Sequence, residues 1–294
     1  MATTLDLRTS AAAAHRRKRL TSIFSAAASY LWVGSICLTT LFPFFWMISS
    51  SFKPRAEIVF FRLLPVSPTL NNYVRVLTKY PYFNWYLNTF IYTLLTVGSV
   101  LLFSAMAAYA LSKFRFRGRE FFFVMILATI MVPSEMLIIP WYVSAQRLGL
   151  GNSLAGLLFP GLISAFGVFV LRQAMFNVPN ELIDAARVDG MSEPGIFVKI
   201  ILPLVSGALA ALAILTALSA WNDYLWPLII MRDAIKFTLQ VGISYAALTD
   251  AAEAINDWTV IMSSTTIASL PMLILMIATQ RYLVKGITLT GLKG

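Results

Sequence analysis

The sequence predicts an all-α, polytopic membrane protein with six transmembrane helices. Three observations carry that reading. The 294-residue chain is 59% hydrophobic and only 12% charged, whereas a soluble domain carries about 25% charged residues. Its apolar residues gather into six runs, each near the ~20 residues an α-helix needs to cross the hydrocarbon core. Lys and Arg divide unequally between the two sides that these runs define, fifteen against eight.

The elements follow in order. Residues 1–21 form a basic tail with Arg8, Arg16, Arg17, Lys18 and Arg19, expected to be mobile. The first apolar run, 23–49, is too long for the core of a cleavable signal peptide and reads as an uncleaved span. Connection 52–83 carries Pro54, Pro65, Pro68 and Pro81 and is expected to be a structured loop. The second run, 85–111, ends at a basic turn with Lys113, Arg115, Arg117 and Arg119. The third, 121–143, holds Glu135 between Pro133 and Pro140. An acid at membrane depth is by default a functional candidate, yet two prolines predict a broken helix whose freed backbone groups can bond it. A pathway role and a scaffold role both stand for Glu135.

The fourth run is 154–176, and a polar connection, 177–203, follows it. There Glu181, Asp184 and Asp189 lie on a segment rich in helix-forming Ala and Leu. Leu182, Ala185, Ala186 and Asp189 recur at helical spacing and give one small, fairly apolar side. Gly190 can take the left-handed conformation that ends a helix. Ser192 is the expected N-cap of a second helix, with Glu193 and Pro194 in its first turn. The fifth run, 204–230, places Asn222 and Asp223 near its far end, where they are either interfacial anchors beside Trp221, Tyr224 and Trp226 or groups at the mouth of a path. Connection 231–257 carries Asp250, Glu253 and Asp257, and the sixth run is 258–282.

The side richer in Lys and Arg is expected to be cytoplasmic. Both termini and connection 177–203 then lie on the cytoplasmic side of the membrane. The net charge of +10 is on this reading mostly topology, and the basic tail alone is too little for a nucleic-acid partner. Cys37 is the only cysteine and His15 the only histidine, so neither a disulfide framework nor a metal site of ordinary ligand count is expected. Cys37 is read as a small buried hydrophobe in the first span. No phosphate-binding G-x-x-x-x-G-K-[ST] loop occurs, so if transport is ATP-driven the ATPase is expected to be another polypeptide. No nucleophile–base constellation marks an enzyme.

The run Asp184-Ala185-Ala186-Arg187-Val188-Asp189-Gly190, continuing to Phe197, Ile200, Leu202 and Pro203, resembles the EAA loop of ATP-binding-cassette importer permeases, roughly E-A-A-x-x-D-G then F-x-x-I-x-L-P. Further stretches fit: Ala107-Ala108-Tyr109-Ala110-Leu111-Ser112, Met131-Val132-Pro133, Trp221-Asn222-Asp223-Tyr224 and the Lys293-Gly294 end. Together they resemble the MalG-type subunit of carbohydrate importers over essentially everything but the tail. Two departures are Asp184 where the motif has Glu, and Thr290-Gly291-Leu292 in place of the family's G-A-V before the final Lys-Gly.

The resemblance implies a type I importer permease fold and a set of partners. These are a second, MalF-like permease, an ATPase dimer carrying ATP and Mg, an extracytoplasmic solute-binding protein and membrane lipid. Glu181, Asp184, Ala185, Ala186, Asp189 and Gly190 would seat in a cleft of one ATPase subunit and drive alternating access by rigid-body motion. Glu135, Asn222 and Asp223 are candidates for the translocation path. Asp250, Glu253 and Asp257 are candidates for contact with the binding protein, with a solvated acidic loop as the plain alternative. The substrate implied is a sugar or oligosaccharide. Charged cargo such as uronate oligosaccharides or glycerol phosphate, and an ion-coupled secondary transporter, are the alternatives. A secondary transporter is expected to carry internal repeats, and none stands out.

Overall fold

The computed structural model describes the backbone of residues 3–250 and 257–291, and the side chains of 24, 26–249 and 257–280. Every regular element among them is helical. The order is α1 Thr3–Ser51, α2 Arg55–Ile58, α3 Asn71–Lys79, α4 Tyr82–Lys113, α5 Arg119–Ile130, α6 Ser134–Arg147, α7 Leu154–Leu158 and α8 Ala165–Phe176. Then come α9 Asn180–Val188, α10 Glu193–Ile196, a π-helical turn Phe197–Ile201, α11 Leu202–Leu204, α12 Ser206–Trp221, α13 Leu225–Ile230, α14 Leu239–Asp250 and α15 Trp258–Gly291. Connection 52–83 is structured, as expected, by α2 and α3.

Among the described residues three helices are long and apolar enough to cross a membrane: Ala26–Ser51 within α1, Tyr82–Lys113, and Trp258–Gln280 within α15. The predicted third span is a sharply bent pair, α5 with α6 at 99°, and α12 of the predicted fifth span meets Glu193–Leu204, which belongs to connection 177–203, at 79°. The predicted fourth span is interrupted: α7 and α8 are separate, and Ser164 N-caps α8 by accepting a hydrogen bond from Gly167 N. At ~1.5 Å per residue α8 alone is too short for the hydrocarbon core. Among the described residues the six expected spans are thus three long helices, one bent pair, α12 followed by α13, and one interrupted segment. Hydropathy averages over a window, whereas the breaks are set by single backbone positions such as Pro133, Ser164 and Val205.

Other expectations change. Residues 3–21, expected to form a mobile tail, are the first part of α1. Cys37 is exposed on α1, not buried. Connection 231–257 is no open loop over its middle: α14 buries Leu239, Val241, Ile243 and Ala246.

Helix α4 is the centre of the bundle, packing on α8, α12 and α14, while α15 packs on α1, α3, α12 and α14. Close approach of α4, α8 and α12 depends on Gly167. A Cβ there would lie 2.9 Å from Ser104 Oγ and 3.1 Å from a Leu212 methyl. Two apolar clusters occupy opposite ends. One joins Val100, Ala108, Met175, Ile183, Ala186, Ile196, Ile201 and Leu212. The other joins Val76, Trp85, Trp221, Leu239, Ile243 and Val260.

Candidate functional site

Helix α9 stands at the end of the bundle where α4 finishes. Lys113, the last residue of α4, donates to Val178 O at 2.6 Å and to Asn180 Oδ1 at 3.0 Å, fixing the start of α9. Ile183 and Ala186, three apart and so on one face, are buried in the core cluster. The opposite face is exposed: Glu181, Leu182, Asp184, Ala185, Val188 and Asp189, with Val188 88% exposed. The small apolar face expected from the sequence is thus divided. Ala186 faces the core, while Leu182, Ala185 and Asp189 face outward.

The end of α9 is a Schellman turn. Gly190 has φ +79°, its N–H donates to Arg187 O at 3.0 Å, and Met191 N–H donates to Ala186 O at 2.9 Å. This is the hydrogen-bond pair of that motif, and Met191 packs beside Ala186 in the core cluster. Ser192 occupies the N-cap position of α10, but its side chain makes no capping bond, so that expectation holds for the backbone only.

Arg187 locks the two short helices together. Its Nε donates to Glu193 Oε1 at 2.7 Å and a terminal nitrogen to Asp184 Oδ1 at 3.0 Å. Tyr109 Oη donates to Glu193 Oε2 at 2.8 Å, tying the turn to α4. The Glu193 hydrogen bond, ahead of the desolvation that opposes it, raises the Arg187 guanidinium above its ordinary value. A groove of about 410 Å³ runs beside α9, lined by Lys113, Phe114, Arg115, Asn180, Asp184 and Arg187 among others. Arg172 braces α8 just before α9: it is buried, donates to Leu111 O at 3.1 Å and Glu120 Oε1 at 2.7 Å, and lies 3.7 Å from the Phe123 ring centre. No contact among Arg187, Glu193, Tyr109 and Arg172 was expected from the sequence, although Glu193 was placed in the first turn of the second helix. The Arg187–Glu193 spacing of six spans a turn, so helical periodicity does not reveal it.

A second site is a cavity of about 530 Å³ within the bundle. Tyr92, Thr96 and Val100 face it from α4 at helical spacing, and Thr216, Ser219, Ala220 and Asp223 do so from α12 and the break after it. Ser134 and Trp141 close it from α6. Tyr92 Oη donates to Asp223 Oδ2 at 2.9 Å. Of the three path candidates, only Asp223 lines the cavity. Asn222 bonds back to Leu218 O at 2.8 Å and is exposed. Glu135 is exposed in the first turn of α6 and accepts from Ser134 Oγ at 3.3 Å.

At the opposite end of the bundle Asp257 corrects its expectation. It is not an open loop acid: it is 4% exposed and accepts from Arg55 Nε at 2.7 Å, Arg75 at 2.5 Å and Thr259 Oγ1 at 2.5 Å. Burial alone pushes the Asp257 carboxyl up, but Thr259, Arg55 and Arg75 outweigh it and hold the carboxyl below its ordinary value. Sequence separations of 202 and 182 from its arginines hide this cluster from any local pattern. The side chains of Asp250 and Glu253 lie outside the described residues. Asn152 pins the neighbouring connection, accepting from Arg232 N at 3.0 Å and donating to Asp233 Oδ2 at 2.7 Å. That bond, with Lys236, holds Asp233 below its ordinary value. Among the described residues no group of His, Cys, Asp and Glu is placed to hold a metal ion.

Residues 100–289 match the family described as binding-protein-dependent transport system inner membrane component. The chain is 36% identical over 282 residues to an arabinooligosaccharides transport system permease protein, AraQ, of Halalkalibacterium halodurans, covering 94% of this chain and all of that one. It is 38% identical to an sn-glycerol-3-phosphate transport system permease protein, UgpE, of Pectobacterium atrosepticum, over 68% of this chain and 71% of that one. Among solved structures it resembles, at 30% identity and TM-score 0.79, a chain of a bacterial ABC transporter involved in the import of the acidic polysaccharide alginate. That match covers 88% of this chain and 96% of the other.

Proposed function

The chain belongs to the binding-protein-dependent transport system inner membrane components, and from that premise we propose that it forms half of an oligosaccharide path and is driven through α9. It is a permease of the carbohydrate ATP-binding-cassette importer type. The single observation that carries the rest is α9 itself. It is a short helix fixed to the bundle by Ile183, Ala186, Lys113 and the Arg187–Glu193 pair, yet it leaves Glu181, Ala185, Val188 and Asp189 in the open.

Such an element transmits force because it is rigid on one side and unpartnered by this chain on the other. The partner is an ATPase subunit that binds ATP and Mg, one for each of two permeases. Closure of the ATPase dimer binds one bundle conformation better than the other and so shifts the population. The end carrying α9 is cytoplasmic, and the Asp257 end faces a solute-binding protein.

The test is reconstitution in liposomes with the co-expressed permease partner, ATPase and binding protein. ATP hydrolysis is expected to rise when sugar-loaded binding protein is added, and sugar is expected to enter. Uptake that runs on an ion gradient without nucleotide refutes this reading.

A further inference from the structure

We infer that residues 59–63 are a membrane-interface anchor, a tip of connection 52–83 that dips Phe60 and Phe61 into the lipid layer at the Asp257 end of the bundle. Such an anchor needs only that α1 crosses a bilayer, and it stands apart from coupling through α9. Residues 61–69 run antiparallel to the last turns of α1. Phe61 stacks on Trp46 with ring centres 4.9 Å apart and planes 19° from parallel. Ser49 Oγ donates to Leu63 O, and Thr69 N–H donates to Phe52 O at 2.9 Å. Lys53 is buried and clamps the pair of segments: its ammonium donates to Arg62 O at 2.7 Å and lies 4.0 Å from the Trp46 ring centre.

This register sets the depth of the tip. Trp46 lies about 7.5 Å of helix rise before Ser51, where α1 ends. The Ala26–Ser51 span is about 39 Å long at that rise, against ~30 Å of hydrocarbon. Ser51 then stands among the headgroups and Trp46 near the hydrocarbon boundary. Phe61 is held at the level of Trp46, yet it remains 78% exposed, with Val59 and Phe60 exposed beside it. The surface continues along α1: Phe42 lies one helical turn deeper, 6.4 Å from Trp46, and is exposed too. Leaving adjacent Phe rings in water is unfavourable, whereas apolar side chains with a basic residue at their edge suit a lipid interface. Arg62 is that edge. Its guanidinium lies 5.9 Å from the Phe60 ring centre and can turn to a lipid phosphate while its stem stays beside the rings. Further along, the chain returns to water, where the Val66 and Ser67 N–H groups donate to the Glu57 carboxylate at 2.9 and 3.1 Å. A protein docking from the water phase meets that part of the connection before it meets Phe61. The anchor fixes the height of connection 52–83, and with it that of Arg55 and Arg75, which the connection brings to Asp257.

The experiment uses the full-length chain in its copurified complex, in nanodiscs of phosphatidylethanolamine and phosphatidylglycerol. In a Cys37→Ala background, spin labels are attached at Phe60→Cys and at Val66→Cys. At Phe60→Cys, collision with oxygen, which enters lipid, is expected to exceed collision with a water-soluble nickel complex severalfold, and the order is expected to reverse at Val66→Cys. Faster collision with nickel at Phe60→Cys overturns the anchor. Suppression of both collisions there means that protein covers the tip, and overturns it as well. A second measurement keeps an aromatic ring in place. Benzoylphenylalanine in place of Phe60, irradiated in the same nanodiscs, is expected to crosslink to lipid; crosslinking to another protein chain instead refutes the anchor.

Discussion

Gly190 is the residue on which the proposed coupling turn depends. Its φ of +79° is a conformation that a β-branched residue adopts only at a penalty of about 1–2 kcal/mol. No atom lies within 4 Å of where a Cβ would stand, so strain, not crowding, is the difficulty. Gly190→Val is therefore expected to insert and assemble normally yet lose most sugar-stimulated ATP hydrolysis, with Gly190→Asn milder because Asn tolerates the left-handed region. Wild-type stimulation in Gly190→Val would remove the turn from the coupling path. Asp257 gives a second test. Its carboxyl lies below the ordinary aspartate value, so the stabilisation it contributes is present in full above about pH 4. It is lost as pH falls through the still lower folded value. The melting-temperature gap between wild type and Asp257→Asn is expected to be present at pH 7 and to shrink as pH falls below about 4; a constant gap would mean that the charge is irrelevant.

At the scale of elements, what could be read from the sequence divides by range. The α9 helix, its glycine stop and the start of α10 follow from neighbours within four residues, and they are where expected. Glu135 and its prolines predicted a broken helix, and the chain does bend by 99° after α5. Only Pro133 lies at the break, however; Pro140 is accommodated inside α6. The interruption between α7 and α8 was not legible, because it depends on Ser164 capping α8 and on Gly167 fitting against Ser104 of α4. The break also settles how Glu135 is to be tested. The acid sits in the first turn of α6 and points out of the cavity lining, where a negative charge near a helix N-terminus contributes about 0.3–1 kcal/mol. Glu135→Gln is expected to transport at the wild-type rate with a slightly lower melting temperature. Slowed transport by a stable, assembled Glu135→Gln complex would return the residue to the path.

Over the whole molecule, the two ends of the bundle are built differently. The α9 end, the proposed lever, is held by one arginine-centred turn and an apolar seam that runs into α4, α8 and α12. The other end is stapled between distant segments: Asp257 ties connection 52–83 to α15, and Asn152 ties connection 148–153 to connection 231–238. A rigid end at Asp257 and a protruding α9 suit the proposed body that tilts as a unit, since the force would enter at one end and the staples keep the other from absorbing it. This requires the two ends to lie on opposite sides of the membrane. In a Cys37→Ala background, single cysteines at Leu64 and Val66, both exposed on connection 52–83, are expected to react with an impermeant maleimide in intact cells. A cysteine at Val188, exposed on α9, is expected to react only after the membrane is opened. Labelling of Val188→Cys in sealed cells would place α9 outside, beyond reach of any cytoplasmic ATPase, and the lever would have nothing to drive it.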